Sequence, residues 1–132
     1  MQSSTLWEAN GVQLSFSQWV GAAELIEATM AVASDARFDE IRHLIFDLRA
    51  ASGVALTGAD LELLDASLRG PAISNPNVLV VFIEPDRAGA ALLQTFSLNH
   101  EKAYPWVVCA SLATARQEIT KPRTPHFRPT HW

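Results

Sequence analysis

Three short apolar runs punctuate the chain: Leu44-Ile45-Phe46, Val78-Leu79-Val80-Val81-Phe82 and Trp106-Val107-Val108. Each is followed by a polar break and then by a stretch with helical spacing. That alternation reads as strand–helix units, and hence as an α/β domain with a partly parallel sheet. The middle run is almost unbroken, so its strand should be covered on both faces and lie centrally. Upstream, Val12, Leu14 and Phe16 alternate with Gln13, Ser15 and Ser17, the period of a strand with one buried face. Asn10-Gly11 is a turn signal just before it. With Trp7 on a short preceding strand, the pair reads as an N-terminal hairpin.

The helical stretches follow from the same periodicities. Residues 22–33 place Leu25, Ile26, Thr29, Met30 and Ala33 on one face. Residues 34–39 read as a connector, 41–48 as the next strand and 50–56 as a small-residue loop. Residues 59–68 form a helix with Leu61, Leu64 and Leu68 inward and Glu62, Asp65 and Arg69 outward. Gly70-Pro71 is expected to stop it, because proline cannot continue a helix. Residues 87–98 are expected to turn Ala88, Ala91, Leu92, Thr95 and Phe96 to the sheet, and Ser111 caps a last helix to residue 119. Residues 1–120 thus make one domain. Residues 121–132 carry three prolines and a basic charge, which forbids a regular helix. This tail is expected to dock through Phe127 and Trp132 on an acidic surface, its own domain's or a twin subunit's.

Composition narrows the function classes. At 132 residues the chain is about one domain, large enough for one core. The net charge of -4 argues against a dedicated nucleic-acid binder, which shows a basic face. Cys109 is the single cysteine, so no intrachain disulfide can form and a reducing compartment is expected. The opening residues lack the basic and apolar regions of a secretory signal, and no apolar run approaches the ~20 residues that span a bilayer. The expectation is a cytoplasmic protein without membrane insertion.

The strand end Phe46-Asp47-Leu48-Arg49, its preceding connector and the following Leu56-Thr57-Gly58-Ala59-Asp60-Leu61 resemble the STAS / SpoIIAA-like family of small bacterial proteins. The resemblance spans roughly residues 6–119. It implies a sheet of about four to five mostly parallel strands with helices packed mainly on one face. It also implies a non-enzymatic partner of regulatory kinases, switched by phosphorylation of a serine or threonine at the start of the helix after the Asp47 strand. That position falls near Thr57. The family's Asp-Ser-Ser-Gly type signature is absent here, and Ser52-Gly53 echoes it several residues too early. Thr57 with Asp60 also matches a capping box, in which each side chain accepts a backbone N–H of the other residue. Thr57, with Ser52 second, is therefore a candidate phosphosite beside the plain reading of a helix cap.

The remaining chemistry is sparse. Asp47 lies at the end of a predicted parallel strand, where α/β folds gather ligands, and Arg49 is two residues on. The pair reads either as a ligand or partner contact or as an ion pair closing the loop. Glu84 and Asp86 after the next strand are paired acids that could coordinate a hard cation, but their spacing matches no metal loop and they read as capping and solvated acids. His43, His100, His126 and His131 show no zinc spacing, Cys109 reads as a small buried hydrophobe, and no phosphate loop, dinucleotide fingerprint or nucleophile elbow appears. Neither metal nor cofactor is expected. Three functions remain. The first is a non-catalytic STAS-like interaction domain that binds a regulatory protein and self-associates, using residues 50–57 and the next helix. The second is a small-molecule or lipid binder with an apolar pocket between helices and sheet near Trp19 and Phe96. The third, ranked last, is an enzyme using Asp47, Arg49 and His100.

Overall fold

The computed structural model describes residues 3–99 and 101–122. In chain order the elements are β1 (Ser3–Glu8), β2 (Gly11–Phe16), β3 (Trp19–Val20), α1 (Ala22–Ala33), a 3-10 turn (Ala36–Glu40), β4 (His43–Asp47), β5 (Gly53–Val54), α2 (Gly58–Ser74), β6 (Leu79–Ile83), α3 (Arg87–Asn99), β7 (Trp106–Cys109) and α4 (Leu112–Thr120). Five strands form one sheet in the order β1-β2-β4-β6-β7. The β1–β2 pair is antiparallel and the other three pairings are parallel. The α/β reading and the hairpin-like start therefore hold. The unbroken run at β6 is buried throughout and lies between β4 and β7.

Asn10 supplies the hairpin's left-handed turn residue, with φ at 63°. The neighbouring Gly11 serves a different need. A Cβ there would lie 2.0 Å from the imidazole Nε2 of His43 on the paired strand, so only hydrogen fits.

Alternation along the strands gives the sheet two unlike faces. On the first, Val12, Leu14, Phe16, Leu44, Phe46, Val80, Phe82 and Trp106 meet Leu25 and Val32 of α1, Leu61, Leu64 and Leu68 of α2, and Leu93 and Phe96 of α3. Phe46 stacks on Phe82 at 5.0 Å, and Trp106 lies 5.0 Å from Phe82 and 5.1 Å from Phe96. Each such pair adds about 1 kcal/mol to the ~2–3 kcal/mol of burying a large apolar side chain. On the second face, Ile45, Leu79, Val81, Ile83 and Cys109 pack under Ala115, Leu112 and Ile119 of α4. Three long helices thus cover one face and a short one the other.

Two helices depart from the sequence reading. Helix α2 runs through Gly70-Pro71 to Ser74. The ring removes one N–H, but the following residue, Asn75, is fixed in the core and draws the chain on. Its backbone N–H donates to the Pro71 carbonyl at 2.9 Å, and its Nδ2 donates to the carbonyls of Phe38 and Ile41 at 2.8 and 2.9 Å. The Tyr104 hydroxyl donates to the Asn75 carbonyl at 2.6 Å. Asp65, expected outward, is buried and accepts from the Ala103 N–H at 2.8 Å and from Arg69 at 2.9 Å. In α3 the inward face is set by Leu93 and Phe96, while Ala88, Ala91 and Thr95 are exposed. In α1, Val32 is buried and Met30 exposed.

Candidate functional site

The C-terminal edge of the parallel strands carries the candidate chemistry, because every crossover there starts with a loop free to reach outward. After β4 the chain runs through residues 48–57. It forms the two-residue strand β5, which pairs in parallel with β3 (Trp19↔Gly53, Val20↔Val54). The short ladder was not legible in the sequence, since two residues carry no periodicity. It presents Trp19, which is 54% exposed and packs its ring on Gly53 and Gly21.

Helix α2 starts from this loop. Thr57 Oγ accepts from the Asp60 N–H at 3.2 Å and the Asp60 carboxylate accepts from the Thr57 N–H at 2.9 Å, which completes the capping box. The Thr57 side chain is exposed at the rim, as is Ser52.

The outer face of α2 is the less expected feature. Ala59, Leu63, Ala66, Gly70 and Ile73 are all exposed and recur at spacings of four and three residues. That spacing places them in one stripe along the helix. Leu63 is 57% and Ile73 70% exposed. A Cβ at Gly70 would meet nothing within 4 Å. Glycine in a helix interior costs about 1 kcal/mol relative to alanine, and no contact within the described residues requires it here. The inner stripe of Leu61, Leu64 and Leu68 masks the outer one in the sequence. The helix is apolar on two sides, and the signal that could have revealed it is the second four-three register.

Asp47 and Arg49 form the closing ion pair. Arg49 donates through Nε and Nη2 to the two Asp47 oxygens at 2.9 and 2.8 Å, and its backbone N–H donates to Oδ1 at 3.1 Å. Burial works to raise the Asp47 pKa, but the Arg49 hydrogen bonds and charge, with help from Gln13, bring it below the ordinary carboxylate value. The pair ends a polar line across the second face. Gln13 donates to Asp47 at 3.1 Å, Arg116 of α4 donates to Gln13 at 3.0 Å and to both oxygens of Glu8, and His43 Nε2 meets Glu8 at 3.0 Å. The Arg116 hydrogen bond is the main cause that lowers the Glu8 pKa. Glu8, Gln13 and Arg116 escaped the sequence reading because the three are joined only by the fold.

Between residues 48–56, the end of β6 and the first turns of α3 lies a cleft of about 540 Å³. Leu48, Val54, Leu56, Leu92 and Leu93 give it apolar walls, with Arg49 at its margin and Glu84 and Asp86 on the β6 side. Trp19 and Phe96 do not line it. Trp19 lies on the β3–β5 ladder, and Phe96 is buried against Trp106 on α3. Cys109 is buried, which raises its thiol pKa and disfavours the nucleophilic thiolate. His100, Phe127 and Trp132 lie outside the described residues, as does most of the tail. Among the described residues no group of acids, histidines and cysteine is arranged to hold a metal ion. Nor is any helix among them long and apolar enough to cross a membrane.

No family profile and no curated protein matches the sequence. Among solved structures, the crystal structure of an anti-sigma factor antagonist from Mycobacterium paratuberculosis superposes with a TM-score of 0.58. It covers 90% of this chain and 93% of its own, at 19% identity. The chain has the STAS/SpoIIAA-like fold. The five-stranded, mostly parallel sheet with three of the four described helices on one face is the architecture that the sequence resemblance implied. Within this STAS-like domain, α2 presents Leu63 and Ile73 to solvent, and the exposed Thr57 caps its N-terminus.

Proposed function

We propose that this STAS-like domain is a non-catalytic regulatory module of the bacterial cytoplasm that binds an anti-sigma factor through the outer stripe of α2. The observation that carries the reading is the two-sided apolar character of α2, with its uncharged row from Ala59 to Ile73. A four-three repeat is the pattern one helix offers to another, and Ala66 and Gly70 allow close backbone approach. The partner surface is therefore an apolar helix face. The solved neighbour, an anti-sigma factor antagonist, supports a partner of the anti-sigma class.

Thr57 gives this surface a switch. A phosphate on Thr57 would sit at the helix N-terminus, where the α2 amides favour negative charge. It would also stand two residues before Ala59, the start of the apolar stripe, where it would oppose the docking of an apolar face. Ser52 on the preceding loop is the second candidate. The same stripe serves self-association if two copies present it to each other.

The test is calorimetric titration of the purified chain against the anti-sigma factors of its own genome, with Leu63→Glu as the variant. Leu63 is exposed, so the substitution should leave the melting temperature within a degree or two. Loss of Leu63 burial alone is worth ~2 kcal/mol, so binding should weaken at least tenfold. Equal affinity for wild type and variant, or no binding to any anti-sigma factor, would overturn the reading. A concentration-dependent dimer abolished by Leu63→Glu would assign the stripe to a second copy instead.

A further inference from the structure

The cleft beside β6 contains a feature that the partner surface does not use. Glu84 follows the central strand and is 3% exposed. Its Oε1 accepts from the Asp86 N–H at 3.0 Å, while Oε2 is buried with no hydrogen-bond partner in the protein. Unpaired buried carboxylate oxygens are rare, because each forfeits its hydration. Glu84 is one of the residues lining a cleft of about 540 Å³, within the range of sites that hold small ligands, and its Oε2 lies beneath Gly89.

The surroundings select the ligand's chemistry. Arg49 at the margin is already neutralised by Asp47 at 2.8 Å. Asp86, on the same side as Glu84, caps α3 by accepting from the Gly89 N–H at 2.9 Å. The remaining charge at the cleft comes from the Glu84 and Asp86 carboxyl groups, which disfavours an anion. The walls of Leu48, Val54, Leu56 and Leu92 suit a hydrocarbon stem. A buried acid behind apolar walls fits an alkylammonium, with its chain along the leucines and its charged end on the acid. We propose that this cleft binds a primary alkylammonium group through Glu84 Oε2, with the alkyl stem packed on Leu48, Val54, Leu56 and Leu92.

Burial, reinforced by the charge of Asp86, raises the Glu84 pKa in the free protein. An arriving ammonium favours the carboxylate, so binding releases a proton and tightens as pH rises through the Glu84 titration. Gly89 sets the space. A Cβ there would meet Glu84 Oε2 at 3.0 Å and displace the carboxyl group. Gly89→Ala favours the helix while disturbing the acid, so the fold is retained as the site is lost.

Two sources could supply the group, a free amine or the lysine side chain of a partner protein. The experiment titrates the full chain with butane-1,4-diamine and separately with Nα-acetyl-lysine amide, followed by calorimetry and amide chemical shifts. Saturable binding with shifts at residues 48–56 and 84–93 is expected. It should weaken at least tenfold in both Glu84→Gln and Gly89→Ala, and proton release should disappear in Glu84→Gln. Binding of the diamine alone assigns a free amine, and binding of both probes assigns a lysine side chain. Absence of saturable binding by either probe, or unchanged affinity in Glu84→Gln, overturns the proposal. None of these measurements involves an anti-sigma factor, so the outcome is separate from that of the α2 surface.

Discussion

Asn75 is the residue whose replacement should cost most for its size. It is 2% exposed and ends α2. Its side chain makes three hydrogen bonds: Nδ2 donates to Phe38 and Ile41, and Oδ1 accepts from the Asn77 N–H at 3.1 Å. At about 1 kcal/mol each, Asn75→Ala should lose about 3 kcal/mol. For a domain of this size each kcal/mol lowers Tm by roughly 3–5 °C, so a fall of about 10–15 °C is expected. Asn75→Asp makes the sharper test. It keeps the acceptor for Asn77 but turns an acceptor toward two carbonyl oxygens that need donors. At neutral pH the charge would be buried against like partial charges, so Asp should be worse than Ala despite being nearly isosteric. A carboxyl group disfavoured in this way titrates higher in the folded than in the unfolded chain. Its penalty is therefore absent below the unfolded value of ~3.9 and grows as pH rises through the folded value. Urea unfolding of the three proteins at pH 4 and pH 7 measures both effects. If Asn75→Asp equals or exceeds Asn75→Ala in stability at pH 7, the two-carbonyl anchor is refuted, and with it the account of why α2 outlasts Pro71.

Further outcomes are expected at the rim. Asp47→Asn should cost about 1 kcal/mol at pH 7, since its partner Arg49 is partly solvated. Because the folded Asp47 pKa is lowered, wild type keeps this contribution above ~pH 4 and loses it as pH falls through the folded value. The acid limb of a stability profile should flatten in Asp47→Asn, and parallel limbs would show that the pair contributes nothing. Thr57→Ala should lose about 1 kcal/mol from the cap while Thr57→Ser keeps it, by thermal melts. Equal stability of Thr57→Ala and wild type would remove the capping box from the account of α2.

Much of this architecture could be read in the sequence where burial has a period. The three apolar runs became β4, β6 and β7, Val12-Leu14-Phe16 became β2, and the Thr57 and Ser111 caps start their helices as expected. The failures share a cause, which is that burial there depends on a distant partner. Asp65 is inward because the Ala103 N–H needs an acceptor, and α2 passes Pro71 because Asn75 is held by carbonyls more than thirty residues away. The rim was only partly legible. Asp47, Arg49 and Thr57 lie on it as expected, while the outer stripe of α2 was hidden behind the inner one. Glu84, read as a capping and solvated acid, is buried with one oxygen unpaired, because its environment comes from α3 packing down at Gly89.

The second face of the sheet bears on how the chain is made. Ile45, Val81 and Ile83 are covered by α4, the last helix among the described residues, and Arg116 closes onto Glu8 across 108 positions of sequence. During synthesis the first face can assemble as α1, α2 and α3 emerge from the ribosome. The second stays bare until α4 is released. A ribosome that stalls before codon 112 therefore presents a sheet with one oily side, a natural target for trigger-type chaperones and for quality-control proteases.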